Sequence, residues 1–297
     1  MKQNLFIFLL TIISACKAQQ SPPSLPTNPD NNSLLWEISG KDLKQPSYLF
    51  GTFHIMCPDD IRFSANLKEA LKRSREVYFE MDLDDAANTL GAVFFMNMKD
   101  GKKLQDLYTE DEYQRLNRYF SDSLGMPLFS FQRMKPMFLD AMLFPRLMPC
   151  KNLSGVEQEL MKLAKADKKE IRGFETIKDQ AAVFDSIPYE LQARELLKEI
   201  DSLSYYKPMF DSMLMAYKSQ QMNGLDKIMS NESFAMKDQT DILLDKRNMN
   251  WVKQMNEILP KQNIFIAVGA GHLGGPKGLI ELLKKEGYSV RPIKNKD

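Results

Sequence analysis

Short apolar runs separated by turn residues open the folded part of the chain. Residues 34–39 and 47–50 are two such runs on either side of a turn, which predicts a hairpin of neighbouring strands. Residues 64–73 repeat apolar positions at helical spacing after a serine, which predicts an amphipathic helix with a serine N-cap. Residues 76–82 form an apolar run of the length and composition of a buried strand.

The middle of the chain is predicted to be helical, and strands return at its end. Apolar positions at helical spacing predict helices at 85–98, 110–123, 136–147, 155–166, 177–186, 189–202, 207–221 and 240–258. One short strand, 170–174, interrupts them. The last elements are a strand at 263–268, an amphipathic helix at 275–286 closed by Gly287, and a strand at 288–293.

This order of elements predicts the fold class. The strand–turn–helix units near both ends of the sequence are typical of an α/β sheet. We therefore expect a single α/β domain over residues 34–297, with a central mixed sheet built from the N- and C-terminal strands. The large helical insertion between them is expected to cover that sheet.

The first residues are not expected to belong to the fold. In residues 1–15, one lysine precedes an apolar run that is too short to span a bilayer, as in a signal peptide. Small residues then precede Cys16, as in the lipobox of bacterial lipoproteins, and the alternative is ordinary signal cleavage after Ala18. Residues 16–33 contain four prolines and predict a lipidated tether. We expect an exported protein, attached to the outer membrane facing the periplasm or at the cell surface.

The composition argues against nucleic acid as a partner and does not show whether the cysteines form a disulfide. The 297 residues carry a formal net charge of +1, which gives no charge excess to suggest nucleic acid as a partner. Cys57 and Cys150 remain in the mature domain, and two thiols could pair in an oxidising compartment. The sequence does not decide whether they do, and it leaves the oligomeric state open.

The two histidines of the chain occupy matching positions. His54 and His272 each lie three residues after a glycine that ends an apolar strand. In a parallel sheet the loops at the carboxyl ends of the strands line the ligand crevice, so both imidazoles are expected at one edge. Gly51 and Gly269 are expected to let the backbone turn sharply there. Two such imidazoles suit a divalent metal, or a general base with a partner.

Three further residues are candidates for the same site. Glu80, near the end of a predicted strand, is costly to bury unless it is paired or metal-bound, and its alternative is a solvent-facing position. Glu175 follows the strand 170–174, and its alternative is a helix N-terminal acid that the helix dipole favours. Arg247 could stabilise a developing oxyanion, and its alternative is a solvated charge on a helix.

Several of these segments together resemble the TraB/PrgY/GumN family. The resemblance covers about residues 34–293 and rests on the ordered segments 48–54, 79–80, 155–157, 173–176, 247–248 and 268–273. The family usually has aspartate where Glu157 stands and leucine where Phe174 stands. Both departures leave the paired histidines intact.

The resemblance implies a fold similar to erythromycin esterases and the haem-binding ChaN proteins. In Tiki-like members the two Gly-x-x-His motifs and an acidic residue are held to form a metal-dependent protease site, with Mn²⁺ or Co²⁺ rather than Zn²⁺. Carried over, this marks His54, His272 and Glu80 as ligands and Arg247 as the partner of the transition state. The chain has no H-E-x-x-H motif, which excludes a standard zincin.

Three functions are compatible with these residues. The first is a membrane-anchored, metal-dependent hydrolase of peptide or protein substrates. The second is an esterase-like hydrolase without metal, in which His54 is a general base oriented by Glu80. The third is a haem- or peptide-binding lipoprotein without catalysis, with the methionine-rich middle as its ligand surface and the histidines as axial ligands. Chelation separates the first two, and a Soret band on addition of haem favours the third.

Overall fold

The computed structural model describes four stretches of the chain: residues 24–29, 32–82, 95–230 and 237–296. The signal peptide predicted for residues 1–15 and the lipidation site predicted at Cys16 lie outside these stretches. Most of the helix predicted for 85–98 also lies outside them. No helix in the described stretches is both long and apolar enough to span a membrane.

Six strands form one mixed sheet, in the order β4-β3-β5-β2-β1-β6. The strands are β1 Leu35–Ser39, β2 Ser47–Thr52, β3 Glu76–Met81, β4 Glu170–Glu175, β5 Ile264–Gly269 and β6 Ser289–Pro292. The four strands β4, β3, β5 and β2 are parallel, whereas β1 is antiparallel to both of its neighbours. The predicted hairpin and the predicted mixed sheet are both confirmed.

Eleven α-helices lie in the described stretches. They are α1 Ala65–Arg73, α2 Glu110–Arg118, α3 Pro136–Ala141, α4 Phe144–Leu147, α5 Val156–Ala166, α6 Ile177–Asp185, α7 Tyr189–Asp201, α8 Leu203–Lys218, α9 Met222–Met229, α10 Lys246–Ile258 and α11 Leu279–Lys285. Ser64 caps α1 as predicted, since its hydroxyl accepts the Leu67 N–H at 3.1 Å. Gly287 follows α11 with φ +91°, a conformation that favours glycine.

Several helices differ from the sequence-based expectation, and proline or glycine accounts for two of the differences. The helix predicted for 136–147 is two short helices, because Pro145, the second residue of the new helix, cannot donate a backbone hydrogen bond to the preceding turn. Parts of the helices predicted for 110–123 and 240–258 are π-helical, at Tyr119–Ser123 and Asp241–Asp245. The helix predicted from residue 275 begins only at Leu279, since Gly275 has φ +79°. The short helix α9 was not predicted.

The helical insertion covers the sheet and also has a core of its own. All residues of β2 and β5 are buried, because helices pack on both faces of the sheet. The second core lies among α2, α3 and α7 and contains Leu116, Phe120, Leu128, Leu139 and Leu196, each at most 1% exposed. Part of the predicted cover is therefore a separately packed helical layer.

The described end of the predicted tether is packed on the domain. Leu25 is 6% exposed, Thr27 forms a β-bridge with Ile293, and the Lys294 N–H donates to the Pro26 carbonyl at 2.9 Å. Residues 24–29 of the segment predicted as a tether therefore pack on the domain, because Leu25 is buried beside the end of the last strand.

A disulfide joins the loop after β2 to the loop before α5. Cys57 and Cys150 are bonded, with their Cα atoms 5.9 Å apart. Beside them Met56 and Ser154 exchange two backbone hydrogen bonds of 2.8 and 2.9 Å. The question that the sequence left open is thus answered, and the loop that carries His54 is fixed against the start of α5.

We expect the variant Cys57→Ser/Cys150→Ser to lower the free energy of unfolding by about 2–4 kcal/mol, because the bond closes a long loop of the unfolded chain. Guanidinium unfolding of the oxidised protein and the variant measures the difference. The variant Cys16→Ser leaves the Cys57–Cys150 bond intact and serves as the control. Equal unfolding midpoints for the double variant and this control would contradict the expectation.

Candidate active site

Both histidines lie at the carboxyl edge of the parallel strands. β2 and β5 are parallel neighbours, and Thr52 pairs with Gly269 in their register. His54 lies in the loop after β2, and His272 ends a short 3₁₀ turn, Ala270–His272, directly after β5. The structure therefore brings the two Gly-x-x-His segments to one edge, as the sequence predicted. β3 flanks β5 on its other side and brings Glu80 to the same edge.

The two motif glycines lack a side chain, which leaves room for neighbouring atoms of the site. Gly51 and Gly269 are the fifth residue of β2 and the last residue of β5, and neither has a positive φ. A Cβ on Gly269 would lie 3.2 Å from Glu80 Oε1 and 3.4 Å from His54 Nε2. A Cβ on Gly51 would lie 3.1 Å from the Cα of Ala270. The sharp turn stays a prediction, since neither glycine has the φ that only glycine adopts readily, and what both glycines provide is room for close approach of neighbouring atoms to the backbone.

Glu80 is an ionised carboxylate at the centre of the site. Its side chain is 12% exposed, and its Oε1 accepts the Gly269 N–H at 2.8 Å. Burial would raise its pKa, but the charges of Arg247 and protonated His54, together with the hydrogen bond from the Gly269 N–H, outweigh burial and hold the pKa below its usual value. Because buried His272 is itself neutral near pH 7, Arg247 is the permanent counter-charge of this carboxylate.

Arg247 ties two carboxylates together across three elements. From α10, its Nη2 donates to Glu80 Oε2 at 2.7 Å and to Glu175 Oε2 at 2.9 Å, while its Nε donates to Glu175 Oε1 at 3.0 Å. The guanidinium also lies 4.8 Å from the ring centre of Trp251, and its Nη1 is 3.3 Å from His272 Nε2. Only 12% of the side chain is exposed. The alternative of a solvated helix charge is therefore wrong.

Glu175 accepts hydrogen bonds from Arg247 and does not act as an acid at a helix N-terminus. It is the last residue of β4, its side chain is 10% exposed, and it also accepts the Trp251 Nε1–H at 3.0 Å. Its oxygens are thus occupied by Arg247 and Trp251. The sequence placed Glu175 among the catalytic candidates, and its contacts here position the guanidinium next to Glu80.

His54 is oriented by a carboxylate that the sequence did not assign to it. Its Nδ1 lies 2.7 Å from Oε1 of Glu157, which lies in the first turn of α5 and also accepts the Thr52 hydroxyl. Burial would lower the His54 pKa, but the hydrogen bond and charge of Glu157 outweigh it and raise it to about 9. The side chain is 71% exposed, so solvent screens part of this effect without changing its direction. The expected pairing of Glu80 with His54 is replaced by Glu157.

His272 has the opposite environment. Its side chain is 4% exposed, its ring lies 4.4 Å from that of Trp251, and its Nδ1 is 2.7 Å from Asn248 Oδ1. Burial, the largest effect, lowers its pKa to about 3 despite the nearby Glu80 carboxylate, which raises it. The imidazole is therefore neutral, and the amide oxygen of Asn248 fixes the proton on Nδ1.

Sequence reasoning missed the residues that orient the rings. Glu157 and Asn248 appeared only as parts of family-like segments, without a role, and Trp251 was not noted at all. The position of Glu157 in the first turn of α5 was a usable signal, because a helix N-terminus stabilises a carboxylate. Trp251 lies one helical turn after Arg247, which places both side chains on one face of α10.

The donor chemistry of the site fits a divalent cation. Both Nδ1 atoms face oxygen atoms, so both Nε2 atoms turn toward the region of Glu80, the arrangement typical of metal-binding histidines. As the described residues stand, no three His, Cys, Asp or Glu side chains are grouped closely enough to hold an ion. Both oxygens of Glu80 have partners here, Oε2 the Arg247 guanidinium and Oε1 the Gly269 N–H.

Comparisons with known proteins point to one family. The family model described as the TraB/PrgY/gumN family matches residues 34–292. Metalloprotease TIKI1 of Homo sapiens is 26% identical over 89% of this chain and 63% of its own length. Metalloprotease TIKI2 of Danio rerio is 24% identical over 88% of this chain and 61% of its own length. The chain thus spans less than two thirds of these relatives. No solved structure matches the chain.

The two imidazoles should titrate far apart in chelator-treated protein. We expect the His54 ring to lose its proton near pH 9 and the His272 ring to stay neutral down to about pH 3. NMR titration of the imidazole carbon-bound protons measures both, since the chain has two histidines. Glu157→Gln should move only the higher pKa down toward 6.5, while Glu159→Gln in the same helix turn should move neither. Two rings titrating together near pH 6.5 would refute the assignment.

Removal of the Arg247 charge should destabilise the fold strongly. We expect Arg247→Met to lower the free energy of unfolding by about 3–5 kcal/mol, because two buried carboxylates lose their shared counter-charge. Urea unfolding measures it at neutral pH. Arg172→Met is the control, since Arg172 is 49% exposed and pairs with Glu76 at the surface, where the loss should be about 1 kcal/mol or less. Similar losses for the two variants would argue against a buried charge network.

Proposed function

Because this chain belongs to the TraB/PrgY/gumN family, we propose that it is a hydrolase that cleaves peptide bonds in peptide or protein substrates. Its relatives carry the name metalloprotease, which supports this class of reaction. The observation that carries the proposal is the convergence of two imidazole Nε2 atoms and Arg247 on the Glu80 carboxylate. These are the groups that a water-activating site needs.

The hydrolase is proposed to depend on a divalent metal ion, with Mn²⁺ or Co²⁺ preferred. His54, His272 and Glu80 would hold the ion. The chemistry that such an ion would supply is Lewis-acid polarisation of a carbonyl group and a water acidic enough to lose a proton near neutral pH. The donor types support this assignment, because two oriented imidazoles and one ionised carboxylate are a common ligand set for catalytic cations.

The chain's own residues prepare the site. Glu157 and Asn248 hold the Nδ1 sides of the two rings, which leaves each Nε2 directed at the Glu80 region. Protonated His54 has no free lone pair on Nε2, so its raised pKa makes the site less competent at low pH. Activity is therefore proposed to rise as the pH increases through the neutral range.

Arg247 is proposed to stabilise the negative charge that develops on the substrate oxygen. Its guanidinium keeps a fixed position because Glu175 accepts two of its N–H groups and Trp251 lies under it. A fixed positive charge of this kind acts without the cost of reorganisation at the moment of reaction. Glu175 is then a positioning residue, which acts on the reaction through Arg247.

A hydrolase without metal is the second candidate, and one contact favours it. The 2.7 Å contact between His54 Nδ1 and Glu157 is the arrangement of a general base oriented by a carboxylate. In this version His54 Nε2 takes the proton of the attacking water. The raised pKa of His54 works against the base form at neutral pH, and chelation distinguishes the two versions.

The domain is proposed to act outside the cytoplasm, tethered by a lipid on Cys16 after removal of residues 1–15. The Cys57–Cys150 disulfide supports an oxidising compartment. The periplasmic face of the outer membrane and the cell surface are the two locations that this proposal includes.

Cleavage assays on purified protein test the function. With a mixture of fluorogenic peptides as substrate, we expect His54→Ala and His272→Ala each to abolish turnover, while near-UV circular dichroism stays native. Arg247→Lys should reduce kcat by about a hundredfold, the loss typical of one oxyanion donor. Lys253→Ala, an exposed position of the same helix, should leave cleavage unchanged.

Chelation separates the two versions of the reaction. EDTA should remove activity, and Mn²⁺ or Co²⁺ should restore it. Activity that survives EDTA but is lost in His54→Ala would replace the metal-dependent version with the general-base version. Wild-type protein that cleaves no peptide with either ion present would refute the peptidase proposal.

A further inference from the structure

A basic cavity lies at the opposite edge of the parallel strands from the histidines. It has a volume of about 500 Å³, and its lining comes from the residues that precede β2, β3, β4 and β5. Six cationic side chains contribute to it: Lys44, Lys72, Arg73, Arg75, Lys169 and Lys261. No aspartate or glutamate is among the described residues that line it.

Among the residues that the structure describes, four of these six cations have no ion pair or side-chain hydrogen bond that explains their position. Arg73 pairs with Glu69 at 2.8 Å, and Lys169 Nζ donates to the carbonyls of Lys72 and Ser74 at the end of α1. In the described part of the chain, no ion pair or side-chain hydrogen bond occupies the remaining four side chains, those of Lys44, Lys72, Arg75 and Lys261, and all four are exposed. Their charges repel one another, so a bound anion would relieve an unfavourable arrangement.

The carbonyl groups at the helix ends beside the cavity do not neutralise its positive charge. The last carbonyls of a helix attract cations, and both α1 and α10 end at the cavity. These carbonyls already have partners, however. The Ser74 N–H bonds to the carbonyls of Ala70 and Leu71, and the N–H groups of Lys261 and Gln262 bond to that of Ile258. The cavity therefore keeps a positive electrostatic potential. Its concave, low-dielectric surface strengthens that potential.

From this concentration of unpaired cations in one cavity, we propose a binding site for a phosphate group, carried by a free phosphorylated compound or by a phospholipid headgroup. Lys72, at the end of α1, Lys261, between α10 and β5, and Lys44, before β2, would approach the phosphate from three sides of the cavity. Lysine and arginine are the side chains that phosphate oxygens bind most strongly. The site is separate from the hydrolytic one and does not depend on its activity.

Inorganic pyrophosphate is the soluble probe. In isothermal titration calorimetry of the full chain, we expect saturable binding that weakens as salt is added, because salt screens the charges. The variant Lys44→Gln/Lys72→Gln/Lys261→Gln should bind at least about tenfold more weakly, since it loses three charge-assisted contacts. The control Lys151→Gln/Lys227→Gln/Lys253→Gln removes the same charge from exposed positions elsewhere and should bind like wild type. Equal losses in the two variants, or no binding by wild type, would overturn the proposal.

Vesicles identify the source of the phosphate. We compare cosedimentation of the full-length proteins with vesicles of equal parts phosphatidylcholine and phosphatidylglycerol, so that the N-terminal segment is common to all. A headgroup site predicts that the cavity variant binds roughly a hundredfold more weakly than the control variant, since each lysine near an anionic surface contributes about fivefold. Equal cosedimentation of the two variants, together with the pyrophosphate result, assigns the site to a free phosphorylated compound.

Discussion

The site depends on one buried cation shared by two carboxylates. Burial of Arg247, Glu80 and Glu175 removes three charges from water, which costs several kcal/mol per ion and is recovered only by close, multiple hydrogen bonds. The guanidinium makes four such contacts with the two carboxylates, at 2.7 to 3.1 Å. It thereby joins α10 to the carboxyl ends of β3 and β4. Without this link the sheet edge would present two uncompensated negative charges where the imidazoles meet.

The two histidines have the same local motif and opposite electrostatics. Each lies three residues after its motif glycine, yet His54 lies beside an ionised Glu157 and His272 lies under Trp251 with a neutral amide on its Nδ1. One ring therefore favours the proton and the other excludes it. A pair of this kind separates the roles of the two rings, because only His54 changes its charge within the range of ordinary pH.

The features that the sequence predicted are local along the chain, whereas those that it missed depend on contacts between residues far apart in sequence. Strand periodicity and the Gly-x-x-His spacing are local, and they placed β2, β5 and both histidines correctly. The acid beside His54 comes from a helix more than a hundred residues away, and its identity depends on how the loop with Cys57 packs against the segment before α5. The sequence predicted turns at the two glycines. It could not show that an oxygen of Glu80 lies so close to Gly269 that a side chain there would be crowded. The family resemblance pointed to Glu157 as a position of interest. Only the packing of the structure shows that its partner is His54.

The parallel strands separate two kinds of chemistry along their direction. Their carboxyl ends carry the carboxylates, the arginine and the histidines, and the residues before them carry the lysines of the basic cavity. Strand polarity alone keeps the two sites apart, because a side chain before a strand cannot reach the edge where that strand ends. An anion held at the basic edge therefore leaves the histidine edge unobstructed. If the anion is a lipid headgroup, the histidine edge faces away from the membrane surface, on the side where the proposed hydrolase would meet its substrates.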